Sequence, residues 1–232
     1  MTAAILHDPA RVQRTWRLRT VAEYTSAART AELLHWLLAV GASPDTLGVC
    51  HRIVGDEMAH AEFSRAVYLE AGGDPAAVPV VRESLHLPHE AGQPLELRAL
   101  AVLADVFCCG ETVAVPLFAA IRAPVTVPVA KQALDRILAD EGVHRAFGWD
   151  TLDELLERLG PEARTWLRRK VPGYVQRVRV AYAAPGKADL APLPDSAWGV
   201  MPAGSYGELC ERCVVEVIRP RFVERLGAID WG

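Results

Sequence analysis

Asp56-Glu57-Met58-Ala59-His60 and Asp140-Glu141-Gly142-Val143-His144 repeat one pattern, Asp-Glu-x-x-His, at corresponding places in the two halves of a 232-residue chain. On an α-helix, residues three apart share a face. Glu57 with His60, and Glu141 with His144, therefore each offer a carboxylate and an imidazole in one direction. Each pair can chelate one metal ion. The stripe Ile53, Glu57, His60, Ser64 runs among Val54, Ala61 and Val67, which turns these ionisable groups inward. Buried without partners they would cost several kcal/mol or be forced neutral, and coordination to a divalent ion offsets that cost.

Working outward, apolar residues recur at helical spacing from about Val12 to Val40 and stop at Gly41-Ala42-Ser43-Pro44. Ser43 or Asp45 can cap a second helix that runs to about Ala71 and ends at Gly72-Gly73-Asp74-Pro75. The segment from Ala76 to Pro94, with Pro79, Pro88 and Pro94, reads as a crossover connection. A third helix is expected over Leu95 to Arg122. A fourth follows Pro124 and Pro128, runs to Leu159, and is stopped by Gly160 and Pro161. Two long helices, a long crossover and two more long helices make an all-α four-helix bundle, expected over 1–160. Residues 161–232 are expected to form a helical extension packed on the same domain. Its helices span about Glu162 to Ala183 and Tyr206 to Leu226, around a Pro/Gly-rich loop, Ala184 to Gly204.

A di-metal site in such a bundle takes one carboxylate from each remaining helix. Helix three supplies Glu111, an isolated acid in Phe107-Cys108-Cys109-Gly110-Glu111-Thr112-Val113-Ala114-Val115. Helix one offers Glu23 and Glu32, nine residues and so about 180° apart, so only one faces the core. Glu23 shares its face with Trp16, Ala27, Thr30 and Leu34, whereas Glu32 lies with Arg29 and His35 on what reads as a solvated stripe. Glu23 is the choice, although helix length does not decide it: Glu23 misses the level of Glu57 by about 7 Å and Glu32 by about 6 Å the other way. Asp56 and Asp140 precede the motif glutamates and are placed to reach the outer ring nitrogen of the opposite motif's histidine, fixing its tautomer.

At these residues the chain resembles the ferritin-like di-iron carboxylate superfamily, which includes ferritins, rubrerythrins, acyl desaturases, ribonucleotide reductase small subunits and bacterial di-iron monooxygenases. The resemblance covers roughly Val12 to Leu159. Within it, Glu23-Tyr24-Thr25-Ser26-Ala27, Leu38-Ala39-Val40-Gly41-Ala42, Asp56-Glu57 through His60-Ala61 and Gly110-Glu111-Thr112-Val113-Ala114 look like a bacterial ferritin-like domain family. That likeness also favours Glu23. It implies a ferritin-like bundle with two iron ions, Glu57 and Glu141 bridging or chelating them and Glu23 and Glu111 closing the ends. It implies O₂ as co-substrate and an external electron donor, in an oxidase or oxygenase acting on a small organic molecule. The expected catalytic and metal-ligating set is thus Glu23, Glu57, His60, Glu111, Glu141 and His144. The rival is a ferroxidase or iron-storing protein without an organic substrate, and a third reading is a bundle that serves only as a scaffold.

Composition bounds the partners. The net charge of -4, with 23% charged and 51% hydrophobic residues, gives no global attraction to nucleic acid or anionic membrane. A monomer or homodimer is expected, with a reductase or carrier protein as partner. The N-terminus lacks the pattern of a secretory signal, no uninterrupted apolar stretch reaches bilayer-spanning length, and five cysteines without framework spacing suit a reducing compartment. A cytoplasmic protein is expected. Cys210 and Cys213 read as core packing, Cys108 as either cavity lining or filler, and the basic run Arg164, Arg168, Arg169, Lys170, Arg177, Arg179 as a solvated face. Pro116 is expected to bend or bulge helix three, and Gly142 either leaves room near the metals or is incidental. Thr112 points about 100° from Glu111 and is given no proton-handling role.

Overall fold

The computed structural model describes residues 8–76, 80–182 and 194–232, and among these no strand occurs. Helix α1 (Pro9–Ala39) starts earlier than apolar periodicity indicates, because the Asp8 side chain accepts hydrogen bonds from the N–H groups of Ala10 and Arg11 at 3.0 and 3.2 Å. Asp8 N–H in turn donates to the buried carboxylate of Asp195 at 2.6 Å, which ties the helix start to the C-terminal region. Helix α2 (Pro44–Glu70) is capped by Ser43, whose hydroxyl accepts from Thr46 N–H at 3.3 Å.

The crossover is fastened to α1. Glu32 Oε2 accepts from Leu87 N–H at 2.8 Å, and Arg29 Nε donates to Ser84 C=O at 2.9 Å. Glu32 therefore does not stand on a solvated stripe; it holds a chain segment that would otherwise lie loose over the bundle. The crossover carries one 3₁₀ turn, Arg82–Leu85, and anchors itself with Leu87, which is buried.

Helix α3 (Leu95–Arg122) is long and apolar enough to cross a membrane, with a mean hydropathy of 1.8 in its best window, contrary to the sequence expectation. Most of that window, 61%, is buried inside the protein, so its apolar surface goes into the core. The irregularity expected at Pro116 lies upstream, where Leu103–Glu111 winds as a π-helix between α-helical turns. Proline removes the N–H that would close the turn from Thr112, and the widened turns end at Glu111, just before that weakened point.

The helix from Pro128 to Tyr182 is broken at Gly160 (φ 74°, ψ −162°), a conformation open to glycine and not to L side chains, into α4 (128–159) and α5 (161–182). The last helix, α6, runs over 203–226, again with a π segment, Val214–Ile218. It joins the same core as the bundle: Phe222 packs on the buried Trp149 ring at 4.9 Å, and Arg225 pairs with Asp153 at 2.7 Å. Trp149 Nε1 donates to Thr112 Oγ1 at 3.0 Å, so Thr112 holds α4 to α3. Cys210 and Cys213 are buried and unpaired, with Cys210 Sγ 3.8 Å from Val178 C=O.

α3 and α4 approach closely at Gly148, one turn beyond His144. A Cβ there would lie 2.6 Å from Phe107 Cβ and 2.9 Å from Phe107 backbone carbon, inside the π segment. Gly142 meets nothing within 4 Å and faces solvent, so it makes no room beside the motif. Gly148→Ala is expected to lower stability by about 1–3 kcal/mol through forced displacement of the π segment. Gly142→Ala should be neutral or stabilising by up to about 1 kcal/mol. Urea denaturation midpoints of the two variants test the contrast, and equal effects would mean that α3 yields at Phe107.

Candidate metal centre

α2 and α4 lie against each other with their motifs level, and the rings of His60 and His144 sit 5.7 Å apart, tilted by 35°. Glu57, His60, Glu141 and His144 are each at most 2% exposed. Both Nδ1 atoms point at both motif carboxylates. His60 Nδ1 is 3.6 Å from Glu57 and 4.0 Å from Glu141; His144 Nδ1 is 3.6 Å from Glu57 and 3.9 Å from Glu141. α1 and α3 complete two clusters. Ligand atoms of Glu23, Glu57 and His60 lie within 4.8 Å of one another, as do those of Glu111, Glu141 and His144. The structure thus brings together all six residues singled out from the sequence. Each cluster can hold a metal ion, with Glu57 and Glu141 between the two histidines.

Behind the histidines stands a second set of contacts. Asp140 Oδ2 is 3.0 Å from His60 Nε2, and Asp56 Oδ2 is 3.6 Å from His144 Nε2, across the helix pair in both cases. The longer of these exceeds direct hydrogen-bond distance. An ionised carboxylate only accepts, so Asp140 places the His60 proton on Nε2 and leaves the Nδ1 lone pair facing inward. Arg136, which the sequence reading overlooked, joins the two aspartates, with Nη2 2.8 Å from Asp56 and Nε 2.8 Å from Asp140. Its spacing of four before Asp140 was the available signal, but such pairs are common on helix surfaces. Ser26 was also overlooked; three residues after Glu23, it donates from Oγ to Glu57 Oε1 at 2.8 Å.

The inward atoms are short of partners. Glu57 Oε2, His60 Nδ1, Ser64 Oγ, Glu141 Oε2 and both ring nitrogens of His144 are buried without a hydrogen bond. Each such group costs about 1–3 kcal/mol when left unsatisfied. A cation among them supplies the missing partner. Carboxylates and imidazoles together suit first-row divalent ions, so the residues fit a metal pair.

Electrostatics agree. Burial, then the negative charge of Glu111, raises Glu57 from its ordinary 4.5 to about 8, against hydrogen bonds from Glu23 and Ser26. Burial and Glu57 push Glu23 well up, with His60 and Arg19 opposing. Burial and Glu111 do the same to Glu141. Burial lowers His144, with Glu111 opposing. Without metal, Glu23, Glu57 and Glu141 are pushed towards keeping their protons, because like charges so close and so buried cannot all ionise. Metal binding must displace those protons. Tyr182, at the end of α5, is held protonated by burial and by the adjacent charge of Glu111. Cys108 is fully buried, and burial holds its thiol well above its ordinary range.

Comparison of the chain with protein-family models, curated proteins and solved structures finds no match. What stands on its own coordinates is an all-helical protein with two adjoining buried Glu/His clusters able to bind metal.

Two outcomes are expected. Because the folded-state values of Glu57, Glu23 and Glu141 are raised, the metal-free protein takes up protons on folding. The stability these three groups contribute is full below about pH 4.5 and declines as pH rises towards and through about 8. Over that interval added divalent metal should stabilise increasingly, and a flat urea midpoint from pH 5 to 8 without metal would show these carboxylates already ionised. Asp140→Asn should weaken metal binding by about 10–100-fold with helix content unchanged, measured by competition with a chromophoric chelator.

Proposed function

We propose that the chain is a ferritin-like di-iron carboxylate protein that catalyses an O₂-dependent oxidation of a small organic substrate. The observation that carries this reading is the cross-linked pair of motifs: two inward Nδ1 atoms sharing two carboxylates, with each histidine backed by the other motif's aspartate. In it, Glu23, Glu57 and His60 hold one iron and Glu111, Glu141 and His144 the other. When bound, the iron pair supplies the electrons and the open coordination through which dioxygen is activated.

The remaining work falls to the chain itself. Asp140 and Asp56, bridged by Arg136, keep the imidazoles turned inward. Ser26 holds Glu57 Oε1 and so restricts how that carboxylate can swing. Displaced protons leave Glu23, Glu57 and Glu141 as metal binds. Phe107 and Ile53 are buried in the core of the helices that carry the clusters and help exclude bulk water. A cavity reaching Ser26 favours an organic substrate over bare iron handling. The setting proposed for this chemistry is a cytoplasmic monomer or homodimer served by a reductase or carrier protein.

Anaerobic reconstitution with ferrous iron should give about two irons per chain, lost in both Glu57→Ala and Glu141→Ala, and a transient visible absorption on adding oxygen. A large shell that mineralises many irons per chain would instead identify an iron-storage protein. Absence of stoichiometric iron, or iron indifferent to both substitutions, would leave a structural bundle.

A further inference from the structure

Two cavities beside α1 meet in a way that points to a ligand. The inner one, about 250 Å³, is lined by α1 and α3 and includes Ser26, whose hydroxyl bonds Glu57, and Phe107, one turn before Glu111. The outer one, about 680 Å³, lies between the crossover, α3 and α5. They share Arg29, Leu87, Val102 and Val106, so the outer cavity adjoins the inner one at these residues. Together they fall within the size of about 300–1,000 Å³ typical of pockets for drug-sized organic molecules.

Their chemistry is graded. The inner cavity is walled mainly by apolar groups, Val102, Val106, Phe107 and Leu87 among them. The outer one gathers Arg29, Arg169, Lys170 and Arg177 against Glu90 and Asp105, in a protein whose net charge is -4. The basic run on α5 is thus not simply a solvated face. Lys170 is taken by Glu90 at 2.8 Å and Arg177 by Asp105 at 2.9 Å. Arg29 and Arg169 are left over. Among the described residues Arg29 uses only Nε, on Ser84 C=O, and neither the rest of its guanidinium nor that of Arg169 meets an acceptor. A forked guanidinium free on one edge, at the mouth of an apolar passage, matches a planar or tetrahedral anion.

We infer that this passage binds an anionic amphiphile, a carboxylate or phosphate head at Arg29 and Arg169 with an apolar body lying along α1 towards Ser26. Arg29 is one turn from Ser26 and six residues from Glu23, so the body spans about 9 Å along the helix from head to metal ligand. Trp166 and Tyr174 flank the head end. Binding itself needs only the cavities and the two arginines. The identification of this ligand as the substrate rests on the function proposed above.

The test uses the full chain, with and without iron, and three probes of equal tail: decanoate, decyl phosphate and decanol. Isothermal titration and quenching of tryptophan fluorescence read the binding, and metal analysis runs on every sample. At least one anion should bind about tenfold or more tightly than decanol, and the tighter of the two names the head group. Arg29→Gln and the exposed Arg169→Gln should each weaken the anion by about tenfold and leave decanol unchanged. Val106→Trp should abolish binding of all three by filling the inner cavity, with iron content unaltered. Equal affinity for anion and alcohol, no binding at all, or anion affinity indifferent to both arginine substitutions in folded protein would overturn the inference. Loss of iron binding with selective anion binding intact would instead overturn the di-iron reading and leave the anion site standing.

Discussion

Four carboxylates and two imidazoles inside a helical core are tolerable only together with positive charge, and the rest of this structure is arranged around that constraint. Protons supply the charge when no metal is present, which is why burial drives Glu23, Glu57 and Glu141 upward. Metal ions supply it better, because they also satisfy the lone pairs on Nδ1 of His60 and His144. Arg136 contributes from the outside, where its guanidinium pairs with both aspartates that stand behind the histidines.

The helices are positioned to keep these groups level. The missing side chain of Gly148 lets α3 press onto α4 at Phe107, and the π segment that contains Phe107 ends by delivering Glu111 to the cluster. Thr112, next in the chain, turns away and clasps Trp149, so one residue joins the cluster and its neighbour fixes the packing. The C-terminal helix closes over Trp149 with Phe222 and Arg225, making the far end of α4 rigid as well.

Much of this was legible in the residues. Gly41, Gly72 and Gly160 punctuate the helices where turn chemistry requires, and the doubled motif announces its own inward face. What was not legible depends on contacts between distant segments. The π turns depend on a change of hydrogen-bond register that no local pattern spells out, and Pro116 marks only their neighbourhood. Arg136 looks like any i,i+4 surface partner until Asp56 arrives from another helix. Glu32 looks solvated until Leu87 folds back onto it, and the basic stripe of α5 looks free until Glu90, Asp105 and Glu211 are placed against it.

The clasp on the crossover has one more implication. Glu32 grips an amide hydrogen and Arg29 a carbonyl oxygen, groups that nearly every residue possesses. Leu87, His89 on the Trp36 ring and Glu90 on Lys170 are held by their side chains, but the turn Arg82–Leu85 before them owes its place chiefly to main chain. Over generations such a segment is at liberty to mutate, and with it the entrance it borders, while the ligands beneath keep their positions: inheritance can tinker with the doorway and leave the hearth alone.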